Sequence, residues 1–179
     1  MRYVISDIHG EYGLCMRLLD KINFSGADTL YVCGDMVDKG EESVRLLKFL
    51  LGEPNVKCIL GNHEYGFLDK VLEDLRGWFY GDGKLLDWDT VDKLEALPLY
   101  IEEEQFICVH AGLPCGGDGR MGPPEHARDM IMLEDRNFMR PEVVPRDSKC
   151  VCFGHTPVRY VGDRDEILAY RRLGRSGGS

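Results

Sequence analysis

The stretch that decides the fold runs from Thr29 to Gly40 and reads Thr-Leu-Tyr-Val-Cys-Gly-Asp-Met-Val-Asp-Lys-Gly. Its first five residues are apolar or β-branched in type, which predicts a short buried strand. Gly34, Asp35 and Asp38 follow that strand directly. Glycine lets the backbone turn tightly, and in an open α/β sheet ligands bind beyond the carboxyl ends of the strands. The stretch therefore predicts a strand of such a sheet with a functional loop at its end.

Four other short apolar runs predict strands of the same kind, and two amphipathic helical segments separate the first three strands, which gives the order β-α-β-α-β. The other predicted strands are Arg2–Ser6, Val56–Leu60, Phe106–Val109 and Cys150–Phe153. Further predictions are a helix over Glu64–Leu75, a helix from the N-cap Asp89 to Leu97, and a hairpin that pairs Leu99–Ile101 with Phe106–Val109. Residues 113–124 are rich in Gly and Pro and predict a long loop or lid.

Each predicted strand is followed by residue types that bind metals. The five segments are Asp7-Ile8-His9-Gly10, Gly34-Asp35-Met36-Val37-Asp38-Lys39-Gly40, Gly61-Asn62-His63-Glu64, His110-Ala111-Gly112 and Gly154-His155-Thr156, and they contain four of the five histidines. One such segment alone is compatible with a turn, a helix cap or a structural histidine. Their occurrence at five strand ends favours one shared site.

The candidate ligands are two aspartates, one asparagine and three histidines, so the donors are carboxylates, an amide and imidazoles, without a thiolate. Such donors suit Mn, Fe or Zn better than soft metals. Six of them are too many for one open catalytic ion but suffice for two ions that share a bridging carboxylate. A pair of ions is a clamp for phosphoryl transfer, because it polarises phosphoryl oxygens and makes hydroxide available for in-line attack.

Composition restricts the class of protein. The 179 residues fit one domain, and the formal net charge of −9 disfavours a general electrostatic attraction to nucleic acid or anionic membrane. The N-terminal apolar stretch is interrupted by Asp7, so no signal peptide is predicted and a cytoplasmic location is expected. The seven cysteines are expected to be reduced core thiols without chemistry of their own.

With these motifs, the chain from Met1 to about Pro157 resembles the calcineurin-like metallophosphoesterases, and within them the serine/threonine phosphoprotein phosphatase branch with its small bacterial and phage members. The resemblance implies an α/β, four-layer fold in which a two-sheet β-sandwich is flanked by helices. It also implies one domain, which we expect over residues 1–170, while the Ser-Gly-Gly-Ser ending predicts a flexible tail or an artificially added segment over 171–179. Family members usually continue into further strands, so we expect this chain to lack the last strands of the second sheet.

The resemblance also assigns roles to the matched positions. Asp7 and His9 would hold the first ion, Asp35 would bridge, and Asn62, His110 and His155 would hold the second ion. His63 would protonate the leaving group as general acid, with Asp38 orienting its ring. The alternative for His63 is a third ligand for the second ion.

Substrate phosphate would be bound by Lys39, Arg136 and Asn62. Lys39 stands where the family has an arginine, so it keeps the charge but loses the bidentate geometry. Arg128 is the alternative to Arg136. The loop 113–124 is where substrate selection is expected, because loops around a rigid site usually carry it.

The resemblance predicts a dinuclear metal-dependent phosphomonoesterase of the serine/threonine protein phosphatase type, with Mn as the metal in vitro and Fe or Zn as alternatives. Its substrate would be a phosphorylated protein or peptide, or a small phosphoester. The alternative is a hydrolase of dinucleoside polyphosphates in the same superfamily. A non-catalytic phosphopeptide-binding module and a nucleic-acid phosphodiesterase are less favoured, because all six ligands are present and the chain is acidic.

Overall fold

The computed structural model describes residues 1–73, 79–80, 84–117, 120–136 and 149–157. Within these ranges no helix has the length and apolar character needed to cross a bilayer. The predicted tail, residues 171–179, lies outside the described residues, and the predicted division into a domain and a tail stays a prediction.

The first sheet is parallel and confirms the predicted β-α-β-α-β order. It consists of β1 (Arg2–Ile5), β2 (Thr29–Val32) and β3 (Val56–Cys58), with β2 in the centre. Helix α1 (Tyr12–Lys21) connects β1 to β2, and α2 (Ser43–Gly52) connects β2 to β3. Parallel pairing with a helix in each crossover brings the carboxyl ends of all three strands to one edge.

Two helices and a short two-stranded hairpin follow the first sheet. Helix α3 (Asn62–Glu73) begins two residues earlier than predicted, and the predicted end at Leu75 lies outside the described residues. A hairpin of β4 (Phe79–Tyr80) and β5 (Lys84–Leu85) was not predicted, because two-residue strands carry no periodicity. Helix α4 (Trp88–Glu95) comes next.

The predicted N-cap of α4, Asp89, is wrong. Asp87 caps the helix: its Oδ1 accepts hydrogen bonds from the Thr90 backbone N–H at 2.9 Å and from the Thr90 hydroxyl at 2.7 Å. An N-cap oxygen reaches the amide two or three residues ahead, and that distance selects Asp87 once the helix begins at Trp88.

The second sheet contains β6 (Tyr100–Glu102), β7 (Phe106–Val109) and β8 (Cys150–Cys152) in that order. β6 and β7 form the predicted hairpin, and β8 runs parallel to β7. A 3₁₀ turn (Pro124–His126) and α5 (Asp129–Glu134) lie between β7 and β8 in the chain.

The two sheets pack against each other, with helices on the outer face of the first sheet. Leu30 and Val32 of β2 face the helices, while Tyr31 and the following Cys33 face Cys108 of the second sheet. This alternation is the period of a strand buried on both faces. It confirms the predicted sandwich flanked by helices.

Part of the predicted loop over residues 113–124 packs on the outer face of the second sheet. Leu113 and Met121 are buried there against Ile107 and Val109. An isolated bridge between Cys115 and Met121 closes the loop on itself. The described part of the loop is therefore anchored to the sheet by apolar contacts.

Candidate metal centre

The segments that follow β1, β2, β3, β7 and β8 meet at one end of the two sheets. Many of their residues adopt the left-handed backbone region, with φ between 49° and 67°: Asp7, His9, Asp35, Asp38, Lys39 and His155. Each such non-glycine residue costs on the order of 1–3 kcal/mol and persists only where the surroundings enforce it. Such a concentration of strained residues marks this end of the molecule as a functional site.

Asp35 belongs to two groups of side chains that could hold an ion. The first group contains His9, Asp35 and His63, and the second contains Asp35, His110 and His155. In each group the ligand atoms lie within 4.8 Å of one another. The structure thus places Asp35 where a bridging carboxylate is predicted.

The predicted ligands of the first ion lie next to Asp35. The Nε2 atom of His9 is 3.7 Å from Asp35 Oδ2 and 4.0 Å from Asp7 Oδ1. Its other ring nitrogen, Nδ1, lies 2.9 Å from the Val37 carbonyl oxygen. A donor on Nδ1 leaves the lone pair on Nε2, so the ring presents its acceptor to the two carboxylates.

The predicted ligands of the second ion are more deeply buried. His110 is fully buried and His155 nearly so. The Asn62 Oδ1 atom lies 3.0 Å from His110 Nε2 and 3.1 Å from His155 Nδ1. The backbone N–H of His155 donates to Asp7 Oδ2 at 3.0 Å, which joins the two groups.

The hydrogen bonds of His110 show that these residues fit a cation. Its Nδ1 lies 2.8 Å from the Cys33 carbonyl oxygen, which can only accept. In the neutral ring Nε2 is then an acceptor, and it faces two more acceptors, Asn62 Oδ1 and Asp35 Oδ1 at 3.3 Å. Converging buried acceptors are stabilised only by a positive charge among them.

His155 supports the same conclusion. Its Nε2 atom is buried and has no hydrogen-bond partner among the described residues. Burial, and then the nearby His110 and Arg136, lower the pKa of His155. A neutral imidazole is the form that binds a metal ion.

His63 and Asp38 form the predicted pair. His63 Nδ1 lies 2.7 Å from Asp38 Oδ2, and its Nε2 lies 3.8 Å from Asp35 Oδ2. The carboxylate fixes the orientation of the ring and leaves Nε2 facing the site. The structure groups His63 with His9, on the side of the first ion, rather than with the ligands predicted for the second ion.

The predicted phosphate-binding residues differ in position. The Lys39 Nζ atom lies 2.6 Å from His9 Nε2, so the ammonium group stands beside the ligand atoms as a positive charge. Asn62 lies between the two histidines of the second ion. Arg136 is exposed, and its charge lowers the pKa of His155, which places it near this end of the molecule. Arg128 is also exposed and precedes α5.

Glu64 is the residue that sequence reasoning missed. Its side chain is fully buried, and its two oxygens accept backbone hydrogen bonds from Asp35, Met36, Val37 and Gly61 at 2.7–3.0 Å. Burial and then the charge of Asp35 raise the pKa of Glu64, while these hydrogen bonds oppose the shift. The carboxylate holds the loop after β2 against the start of α3. Its signals in the sequence are its place at the end of the Gly61-Asn62-His63-Glu64 segment and at the start of the predicted helix, and neither indicates a buried role.

Two glycines allow the strands to meet at the site. A Cβ atom on Gly154 would collide with Ser6 Oγ and Asp7 Oδ2. Gly34 has φ +79°, and a Cβ there would lie 2.6 Å from Gly61 Cα and 2.8 Å from His110 Nδ1. Both positions exclude a side chain, because backbone from one segment touches the ligands of another.

Comparison with known proteins agrees with this geometry. Residues 2–175 match the family described as calcineurin-like phosphoesterase. The symmetrical bis(5'-nucleosyl)-tetraphosphatase of Neisseria meningitidis serogroup A is 36% identical over 126 residues, which cover 62% of this chain and 43% of that protein. The protein of the same name from Xanthomonas axonopodis pv. citri is 32% identical over 142 residues, or 72% of this chain and 44% of that protein. The chain spans less than half the length of these curated relatives.

Solved structures share the fold. A crystal structure of a protein assigned as a diadenosine tetraphosphatase matches with a TM-score of 0.66 at 24% identity, covering 87% of this chain and 75% of that chain. The metallophosphoesterase from Sphaerobacter thermophilus matches with a TM-score of 0.50 at 19% identity, covering 62% of this chain and 46% of that chain. At these identities the likeness concerns the fold alone.

The comparisons correct one prediction from the sequence. The predicted activity, that of a serine/threonine protein phosphatase, is wrong, because the curated relatives are named as tetraphosphatases of dinucleosides. The motifs could not separate the two activities, since the same metal ligands serve an ester and an anhydride.

Proposed function

The chain belongs to the calcineurin-like phosphoesterase family, and we propose that it hydrolyses dinucleoside polyphosphates by symmetrical cleavage. The observation that carries this proposal is the 32–36% identity to symmetrical bis(5'-nucleosyl)-tetraphosphatases over 62–72% of this chain. In the proposed reaction, water adds to one of the two central phosphorus atoms. The anhydride bond between them breaks, and two nucleoside diphosphates leave.

The family works with a dinuclear metal centre, and the residues present fit one. We propose that Asp7, His9 and Asp35 hold one ion and that Asp35, Asn62, His110 and His155 hold the other. The oxygen and imidazole donors favour Mn²⁺ in vitro, with Fe or Zn as alternatives. When bound, such ions polarise phosphoryl oxygens and lower the pKa of water.

The charges at the site explain why a polyphosphate needs these ions. Asp7, Asp35 and Asp38 present three carboxylates, and the ammonium of Lys39 is the only cation shown in direct contact with a candidate ligand among the described residues. Without further positive charge the site would repel a tetraphosphate, as would the chain's net charge of −9. Two divalent ions would reverse the local sign.

Other residues of the chain would position the reacting groups. His63 Nε2 faces Asp35 while Asp38 holds the opposite ring nitrogen, so Nε2 can deliver a proton to the departing phosphate oxygen. Lys39 would move from His9 to a phosphate oxygen, which its flexible stem permits. Arg136 is the proposed second cation for the substrate.

The test is hydrolysis of diadenosine tetraphosphate by metal-stripped protein with added Mn²⁺. ADP as the sole nucleotide product is expected, with activity lost on chelation and in Asp35→Asn. Asp69→Asn is a matched control, since Asp69 is exposed on α3 away from the candidate ligands. AMP plus ATP as products would contradict symmetrical cleavage, and an unreacted dinucleotide with both metals bound would contradict the substrate class.

A further inference from the structure

Four of the seven cysteines form a line of thiols inside the sandwich. Cys33 and Cys108 lie in one buried cluster with Cys152 packed against it, and the Cys152 thiol lies within hydrogen-bonding reach of the Cys108 and Cys150 thiols. Cys108 and Cys152 are direct partners in the parallel register of β7 and β8. The Cys33 thiol also donates to the Cys152 carbonyl oxygen at 3.8 Å.

The line runs from solvent to the interior. Cys150 is exposed and Cys152 is half-buried, whereas Cys108 and Cys33 are fully buried. Cys150 and Cys152 line an open groove of about 640 Å³ between the edges of the two sheets, together with Phe106 of the same sheet and Arg2 of the first sheet. A small ion can therefore reach the Cys152 sulfur without opening the core.

Donor chemistry separates this cluster from the candidate metal centre. The centre offers oxygen and imidazole nitrogen, which suit hard and borderline ions, whereas the cluster offers sulfur alone, which selects soft ions. The neighbouring Cys108 thiol and burial raise the pKa of Cys152, so its thiol reacts slowly with peroxides. A soft metal ion replaces the thiol proton on binding, and the Arg2 guanidinium in the groove offsets the charge of the resulting thiolates.

We propose that a soft monovalent cation of the Cu(I) type binds between Cys108 and Cys152 and weakens metal binding at the neighbouring centre. One residue separates Cys108 from His110 in the chain, and two separate Cys152 from His155. The Gly154 N–H donates to the His110 carbonyl oxygen at 2.9 Å. The Gly154 backbone also packs against Asp7 so closely that a Cβ atom would collide with the Asp7 carboxylate. Drawing the two sulfurs onto one ion therefore shifts backbone that is packed against three candidate ligands.

The test titrates full-length protein with Cu(I) against a coloured Cu(I) chelator under reducing conditions. One tightly bound ion is expected, with a sulfur-only ligand shell by X-ray absorption. Cys152→Ser and Cys108→Ala should each weaken binding by more than about tenfold, because losing even an outer partner of a metal ligand costs that much and these two are the direct ligands. Cys115→Ser, which alters an exposed cysteine of the 113–124 loop, should bind Cu(I) as the wild type does.

Thermal unfolding of each variant identifies any that fails to fold. Cys152→Ser is the decisive variant, because Cys152 is only half-buried and its replacement disturbs the core less than that of Cys108. Wild-type affinity in Cys152→Ser, or nitrogen in the ligand shell, would overturn the site. The coupling is measured by Mn²⁺ binding, using electron paramagnetic resonance, before and after one equivalent of Cu(I). An unchanged Mn²⁺ affinity would overturn it. Neither measurement requires catalytic activity, so failure of the proposed function would be seen separately.

Discussion

Asp35 presents its two carboxylate oxygens to two different sets of imidazoles. Oδ2 lies 3.7 Å from His9 Nε2, and Oδ1 lies 3.3 Å from His110 Nε2. The backbone of Asp35 is held in the left-handed region, with φ 55°, and its N–H donates to Glu64. A buried glutamate on one side and the histidines on the other thus fix a single residue at the centre of the site.

The role of His63 depends on the leaving group. A departing nucleoside diphosphate carries a phosphate whose pKa is about 6, whereas a departing phenol has a pKa of about 10. His63→Asn should therefore reduce kcat about tenfold for diadenosine tetraphosphate and about 10²–10³-fold for phenyl phosphate, and only the second value lies in the usual range for a general acid. Steady-state assays of both substrates measure this difference.

Metal content distinguishes this role from metal binding. His63→Asn should keep both ions, and Asp69→Asn should retain full activity with either substrate. Equal losses for the two substrates would remove His63 as proton donor, and loss of an ion would assign it as a ligand.

Glu64 should be essential for the shape of the site although it touches no predicted substrate. In Glu64→Gln the amide nitrogen faces backbone N–H donors, so up to two of the four hydrogen bonds are lost in a fully buried position. Unfolding in urea should show a loss of about 3 kcal/mol, the scale of breaking buried charge-assisted hydrogen bonds. Glu53→Gln, an exposed change at the end of α2, should alter stability by less than about 0.5 kcal/mol. Comparable values for the two variants would refute a positioning role for Glu64.

At the scale of single residues, the sequence predicted which residue types bind metal and that they converge. It did not predict the hydrogen bonds that hold those residues in place. Asp7, His9, His110 and His155 stand directly after apolar strands, so their position is encoded locally. Glu64 is different, because three of the four N–H groups that it binds belong to the loop after β2, far away in the chain. The fourth, that of Gly61, is near in the chain but is brought into reach by the local backbone conformation. A pattern of residue types does not encode such contacts.

Helix α4 depends on its N-cap residue, Asp87. The Asp87 carboxylate accepts the hydrogen bond of the Thr90 N–H and also pairs with the Lys48 ammonium of α2 at 2.7 Å. Asp87→Ala should destabilise the protein by about 1 kcal/mol through loss of the cap. Asp89→Ala is the matched control, since Asp89 is exposed and pairs only with Lys93 one turn on among the contacts shown; its loss should cost about 0.3 kcal/mol. A larger loss of stability in Asp89→Ala than in Asp87→Ala would identify Asp89 as the cap.

The effect of Asp87 should depend on pH. Hydrogen bonds from Lys48 and then Thr90 hold the pKa of Asp87 well below its usual range. A lowered folded-state pKa contributes stability that is present above the unfolded pKa near 4 and is lost as the pH falls towards the folded pKa. Urea unfolding at pH 7 and at pH 3 should therefore show a smaller difference between wild type and Asp87→Ala at pH 3. A constant difference would indicate that packing, not the charged cap, causes the loss.

Element boundaries show where local signals end. β1 and β7 lie within one residue of the predicted runs, because alternation and apolar content act along a strand. The start of α4 was predicted at Asp89 although Asp87 is an equally good cap, and Asp87 is selected by its contacts with Thr90 and Lys48. The pairing of β8 with β7 depends on contacts far apart in sequence.

In the whole molecule, the two sheets converge at the candidate centre. Ser6 Oγ donates to the Cys33 carbonyl oxygen, Gly154 packs on Asp7, and His110 reaches the Cys33 carbonyl oxygen from the other sheet. The resemblance to the family predicted this architecture, whereas periodicity alone predicted only an α/β sheet. Ions held by ligands from both sheets would therefore join the halves of the sandwich.

Metal binding should consequently stabilise the whole fold. Converging acceptors at Asp35, Asn62 and His110 repel one another without a cation, and an ion at a concentration 100 times its Kd adds about 2.7 kcal/mol. For a domain of this size that corresponds to a rise in Tm of roughly 5–10 °C between chelated and Mn²⁺-loaded protein, measured by differential scanning calorimetry. Asp35→Asn should lose most of this rise because the shared carboxylate is gone, while Asp69→Asn should keep it. An equal Mn²⁺-dependent rise in Asp35→Asn would mean that the ions bind elsewhere and would contradict the assignment of the centre.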